Sequence, residues 1–251
     1  MGMHEQKLLN NIFDAHGGLA RWREFKTIHA RIVSGGNLWA LKGLKQDPIP
    51  RDMTVWLNEQ RASIAPFGAA DQFTDYRPDR IAILKRPDTV LLERRNPLES
   101  FSLHVEDTPW DPLHRAYFNG YALWCYLTMP FHFALPGLKF KLLSPWFESG
   151  EVWHQLRVLY PESIATHCRV QDFYFGPDHL LRRHDYQVDV NAGMLATQYV
   201  GDYIEASGFR LPSKRRAFRR SVIADWQQPE LLVSIDFADV VFNRSEVSLT
   251  V

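Results

Sequence analysis

His184 is the residue of this 251-residue chain best suited by type to move a proton, and hairpin counting gathers Asp172, Arg182, Asp202 and Lys214 around it. An imidazole titrates near neutrality and can act as a general acid or base. A guanidinium or ammonium beside it would hold an anionic group. The gathering rests on turn arithmetic. Asn191-Ala192-Gly193 fits a three-residue loop, a type I turn closed by a Gly bulge, which sets Val190 opposite Met194. Counting back sets Tyr186 opposite Gln198, His184 opposite Val200 and Arg182 opposite Asp202. Similar loops at Gly176-Pro177-Asp178 and Ser207-Gly208-Phe209 set Asp172 opposite Arg182 and Asp202 opposite Lys214. The expected row is Asp172, Arg182, Asp202, Lys214, alternating in sign across four neighbouring strands. A two-residue turn at Ser207-Gly208 would break its last pairing.

The same face carries Val170, Tyr174, Leu180, Tyr186, Val188, Val200 and Ile204, whereas the opposite one carries Arg183, Asp185, Gln187, Glu205, Arg215 and Arg219. The row is therefore expected to look inward, where opposite charges one strand apart are the least costly arrangement. Such a row can be a ladder that fixes register, or a set of polar anchors on the wall of a ligand cavity. Asp185 follows His184 in sequence but points to the other face, so the two do not form a catalytic dyad.

Other chemistry finds little support. There is no GxGxxG, P-loop, GxSxG or HExxH motif, and the histidines never fall at metal-ligand spacing with another good ligand, so neither a cofactor nor a metal is expected. Lys plus Arg equals Asp plus Glu at 29 each, which leaves no global field to attract nucleic acid. The run Lys214-Arg215-Arg216 with Arg219-Arg220 splits between two faces of a strand and suits a solvated edge better than phosphate binding. Cys125 and Cys168 are far apart and in no redox spacing, and the N-terminus reads as an amphipathic segment, so a cytoplasmic setting is expected.

Several kinds of element must carry these residues. Leu8, Leu9, Ile12, Phe13, Leu19 and Trp22 have the spacing of an amphipathic helix over residues 5–25, broken at Gly17-Gly18. Strand-like alternation follows over residues 27–95 and again over 151–243. Between them, Asp111-Pro112 is placed like an N-cap and first-turn proline, opening a helical insert over residues 110–135 that meets Pro130. The charge-free run from Ala116 to Leu138 is long enough to span a bilayer, but Asn119, Gly120, His132, Pro130 and Pro136 favour a buried helix that covers a cavity. Residues 136–150 read as a loop or lid. No repeat or linker divides the chain, so one domain over 1–251 is expected, of the α+β class, with helices against an antiparallel sheet.

Scattered features of the whole chain resemble a family of uncharacterised bacterial proteins related in fold to the outer-membrane lipoprotein carriers and their receptors. They are His16-Gly17-Gly18-Leu19 with Trp22; Gly120-Tyr121-Ala122-Leu123-Trp124 with Pro130-Phe131; and the run from Leu180 to Tyr186 continued through Tyr199, Asp202-Tyr203, Gly208, Pro212 and Arg216. The resemblance implies an incomplete barrel wrapped around helices, with an apolar cavity between them. The carriers begin with signal peptides, which are not seen here, so only the fold and a preference for hydrophobic ligands carry over. The expected function is binding of a lipid-like or aromatic small molecule, with Tyr121, Trp124, Phe131, Phe133 and Tyr186 as wall. Asp172, Arg182, Asp202 and Lys214, with His184, would be its polar groups. The alternatives are a cofactor-independent enzyme using His184 in the same cavity, and a protein that contacts a membrane surface or partner, without spanning, through its apolar insert.

Overall fold

In a computed structural model, which describes residues 2–46, 48–220 and 230–245, the chain begins with α1 (Met3–Ala15) and α2 (Leu19–Trp22). Then come β1 (Thr27–Gly35), α3 (Leu38–Leu41), β2 (Arg51–Trp56), β3 (Arg61–Ala65), β4 (Gln72–Arg77), β5 (Arg80–Lys85) and β6 (Thr89–Arg95). The insert forms α4 (Pro112–Thr128) and a 3-10 turn (Phe131–Ala134). It is followed by β7 (Lys139–Leu142), β8 (Trp146–Glu148), β9 (Glu151–Leu159), β10 (Val170–Phe175), β11 (Leu181–Val188), β12 (Met194–Ala206), β13 (Phe209–Arg219) and β14 (Leu231–Asn243). Residues 136–150, expected as a loop or lid, instead contribute β7 and β8, which both pair with β9. The part of the expected strand run at 221–229 lies outside the described residues.

The strands form one antiparallel sheet of the α+β class, in the order β6-β5-β4-β3-β2-β1-β14-β13-β12-β11-β10-β9-β7, with β8 beside β9. The pairing of β1 with β14 joins the first strands of the chain to the last. Strands from both halves of this path meet α4. The Trp124 indole donates to the carbonyls of Trp56 and Glu59 at the β2–β3 turn, while Arg215 on β13 donates to the carbonyl of Tyr126. A flat sheet could not reach one helix from both sides, so the sheet curves around it. That agrees with the burial of α4, whose residues from Tyr121 to Thr128 are all buried.

Local chemistry fixes the helices. Asp111 accepts from the His114 amide at 2.8 Å and donates its own amide to His114 Nδ1 at 3.1 Å, a reciprocal cap that starts α4 where Pro112 needs no partner. Gly120 sets the approach of α4 to β4: a Cβ there would lie 2.2 Å from Cγ of Tyr76. At the N-terminus, Gly17 adopts φ +117° and lies against Gly208 at the β12–β13 turn, where a Cβ would come within 2.4 Å of the Gly208 carbonyl oxygen. His16 is buried with Nδ1 2.8 Å from the Ile12 carbonyl, and Trp22 stacks on Phe131 at 4.3 Å. The His-Gly-Gly segment thus seats α1 and α2 on one rim of the curved sheet. Among the described residues no helix is long and apolar enough to cross a membrane.

Candidate functional site

The expected inward row of charges does not form, because the turns differ from those counted. Ala206 pairs with Phe209, so Ser207-Gly208 is a two-residue turn with positive φ at both positions, 53° and 78°. That single-residue slip inverts every side chain of β13. Lys214 faces solvent and pairs with exposed Asp202 at 2.5 Å. Arg215, expected outside, is buried within. The 176–180 turn is also longer than counted, and β10 carries an irregularity at Tyr174/Phe175. Asp172 therefore sits opposite Asp185 on the outer face and is held by Arg157 through two 2.7 Å bonds. Arg182 is half-buried, 3.0 Å from Asp178 and 3.5 Å from Glu151, and makes no contact with Asp172 or Asp202. The 189–193 turn is longer by an even number, setting Val188 opposite Met194 and His184 opposite Gln198, so β11 keeps its expected faces.

The outer face has its own buried acid. Asp185 is 4% exposed and accepts from Arg183 twice at 2.8 Å, from Arg220 at 2.9 Å and from the Tyr174 hydroxyl at 3.2 Å. Arg183 in turn lies among Trp146, Tyr174 and Tyr199 and donates to Glu148 at 2.7 Å, fastening β8 to the sheet. Asp185→Ala would leave these guanidiniums without their central anion. It should lower unfolding free energy by about 3 kcal/mol in urea titrations, and a loss below 1 kcal/mol would mean that Glu148 alone satisfies Arg183.

The inner face gathers a different set. His184, 3% exposed, stacks on Phe173 at 4.1 Å and lies 4.4 Å from the Tyr186 ring. Its Nε2 is 2.6 Å from Oε1 of Gln171, whose amide nitrogen donates to Thr166 Oγ1 and to the Cys168 carbonyl, both at 2.7 Å. Gln171 Oε1 must accept, so Nε2 carries the proton and Nδ1 is a bare acceptor, without a hydrogen-bond partner among the described residues. Tyr186 stacks on His167 at 4.2 Å and its hydroxyl lies 3.3 Å from that of Tyr126. His167 is 2.7 Å from the Tyr126 hydroxyl through Nε2 and 3.3 Å from the Tyr121 hydroxyl through Nδ1. His132 links Thr128 at 3.1 Å to Tyr160 at 2.9 Å. Burial pushes His132 and His167 down to about 3 and His184 well below its ordinary value, so all three rings are neutral at pH 7.

Arg215 completes this set. It is 1% exposed, donates to Gln198 Oε1 at 2.9 Å and to the Tyr126 carbonyl at 3.0 Å, and lies over the Tyr126 ring at 4.6 Å. Its Nε finds no hydrogen-bond partner among the described residues. Of the aromatic residues expected as cavity wall, Tyr121 and Tyr186 border this polar cluster, and Phe133 packs on Phe173 at 5.1 Å. Phe131 turns instead to the rim, between Trp22, Phe13 and Phe209. Trp124 lines a cleft of about 180 Å³ with Leu57, Leu135, Pro136 and Ile164, open to solvent near the C-terminal end of α4. A cavity of about 20 Å³ lies between α4 and β14, bordered by Tyr126, Tyr186, Phe118 and Ile235. Sequence reasoning missed Arg215 through the one-residue turn error. It missed Gln171 through the register at the 176–180 turn, which turns Gln171 inward as it turns Asp172 out, and His167 because nothing in its spacing marks it.

Comparison with solved structures gives the architecture its class, the LolA-like fold. A LolA superfamily protein from Nitrosomonas europaea superposes with a TM-score of 0.54 at 11% identity, over 96% of this chain and 94% of that one. A DUF1329 family protein from Desulfovibrio piger gives 0.50 at 12% identity, over 92% and 91%. At these identities the likeness is one of fold. No family model matches the sequence, and no curated protein is significantly similar to it.

Proposed function

We propose that this protein binds a hydrophobic or lipid-like small molecule between its curved sheet and α4. The observation that carries the reading is the interior polar cluster, in which His184 Nδ1 and Arg215 Nε are buried amid aromatic side chains without hydrogen-bond partners among the described residues. Packed cores seldom leave such groups unmet, whereas ligand sites are apolar enclosures with a few convergent polar groups. The LolA-like fold supports it, since in this chain it curves the sheet around α4 over an apolar interior. The conformation described is closed, since a 20 Å³ cavity holds about one water. Uptake therefore requires the C-terminal half of α4 and the 3-10 turn to shift, and the cleft beside Trp124 is the natural mouth.

In this reading His184 lines the site with its neutral ring oriented by Gln171 through Nε2, which leaves Nδ1 to accept a hydrogen bond from the ligand. The insert offers no exposed patch to a membrane, since Leu123 and its neighbours are buried. The buried, unpaired thiols of Cys125 and Cys168 fit a reducing, cytoplasmic compartment. Detergent-free purification, native mass spectrometry and organic extraction provide the test. A discrete, extractable apolar adduct is expected. A bare polypeptide mass, with no uptake of a hydrophobic dye, would overturn the reading.

A further inference from the structure

Arg215 is a cation placed in the interior without an anion. No carboxylate lies within ion-pair distance of it among the described residues. Its partners are neutral oxygens, the Gln198 side chain and the Tyr126 carbonyl. The titratable groups around it are the phenols of Tyr126, Tyr186 and Tyr203, the thiol of Cys125 and the imidazoles of His16, His132 and His184, all of which burial holds in their neutral forms at pH 7. A guanidinium is the side chain least able to lose its proton, so burial leaves it charged. Other buried charges here are satisfied in the usual way: Asp185, equally hidden on the outer face, has two arginines. The contrast between the two faces is chemical. Among the described residues the outer face pairs its charges internally, while the inner face keeps the Arg215 guanidinium uncompensated, with Nε–H free, on the strand next but one to His184.

Resting on the proposed apolar-ligand reading, the geometry points to Arg215 as the anchor of an acidic head: the ligand is an amphiphile ending in a carboxylate or phosphate that meets the guanidinium, with its tail along α4. The planar fork, with Nε–H available, matches two oxygens of such a head. The neighbouring aromatic rings exclude water and strengthen the pairing.

The test uses cis-parinaric acid and its uncharged methyl ester, read by fluorescence on the full chain at pH 7.5, with palmitate and hexadecyl phosphate as competitors. The native protein is expected to bind the acid at least tenfold more tightly than the ester, and Arg215→Met to bring that ratio to about one. Competition by the alkyl phosphate at concentrations similar to palmitate would extend the class to phosphate heads, while palmitate competing alone would restrict it to carboxylates; either supports an acidic anchor. Equal binding of acid and ester by the native protein would overturn the proposal while leaving the apolar reading intact. Binding of neither would overturn both. Should Arg215→Met fail to fold, the acid-to-ester ratio of the native protein decides, with Arg215→Lys expected to retain a ratio above one.

Discussion

Acidification from pH 6 to pH 5 is expected to remove about 3.5 kcal/mol of folding free energy, close to 1.2 kcal/mol for each of three buried histidines. His16 is pushed down to about 4, and His132 and His167 to about 3, in each case chiefly by burial. In the unfolded chain all three return to about 6.5 and take up protons that the folded state refuses. The folded pKa lies below the unfolded one, so the stability these neutral rings permit is complete above pH 6.5. It is lost as the pH falls towards 3. His184 adds in the same direction. Against a typical total of about 5–15 kcal/mol, such a slope should unfold the protein well before most carboxylates are protonated. Urea titrations at pH 7, 6 and 5 measure it directly. His167→Asn should reduce the slope by about one third, and a native slope below 1 kcal/mol per pH unit would show that the rings are hydrated.

Gly120→Ala carries the second large effect and tests how closely α4 packs on the sheet. In an exposed helix the change would stabilise by roughly 1 kcal/mol. Here the new methyl would lie 2.2 Å from Tyr76 Cγ and 2.6 Å from its Cβ. Tyr76 is fully buried, with its ring 5.6 Å from that of Tyr117, so it has no room to retreat. Overpacking of this kind should cost about 3 kcal/mol or more and lower the melting temperature of a chain this size by several degrees. An unchanged or raised melting temperature would mean that helix and sheet are further apart than described.

Much of this fold was legible in the sequence because its signals are local. The break at Gly17-Gly18, the Asp111-Pro112 cap and the charge-free insert each need only neighbouring residues to be read, and each corresponds to an element boundary or a buried helix. The aromatic residues of the insert were legible as interior for the same reason. The polar site was not. Which face a strand residue occupies depends on turn length, and an error of one residue at Ser207-Gly208 exchanged Lys214 for Arg215. An even-numbered error at residues 189–193 did no such harm, so His184 and Tyr186 were placed inside while their partners were not. The odd register shift at residues 176–180 likewise exchanged Asp172 for Gln171 on the inner face, and His167 carries no periodic signal; only the folded chain brings it to Tyr126.

The central claim is that an apolar ligand enters the space between the sheet and α4, and quenching of tryptophan fluorescence by a bromine-labelled fatty acid tests it most directly. Trp124 on α4 and Trp39 packed against that helix are each 1% exposed, whereas Trp146 is 37% exposed on the outer face. Saturable quenching is expected that persists in Trp146→Phe and falls sharply in Trp124→Phe. Quenching that disappears with Trp146→Phe and survives Trp124→Phe, or no quenching at all, would contradict an interior site.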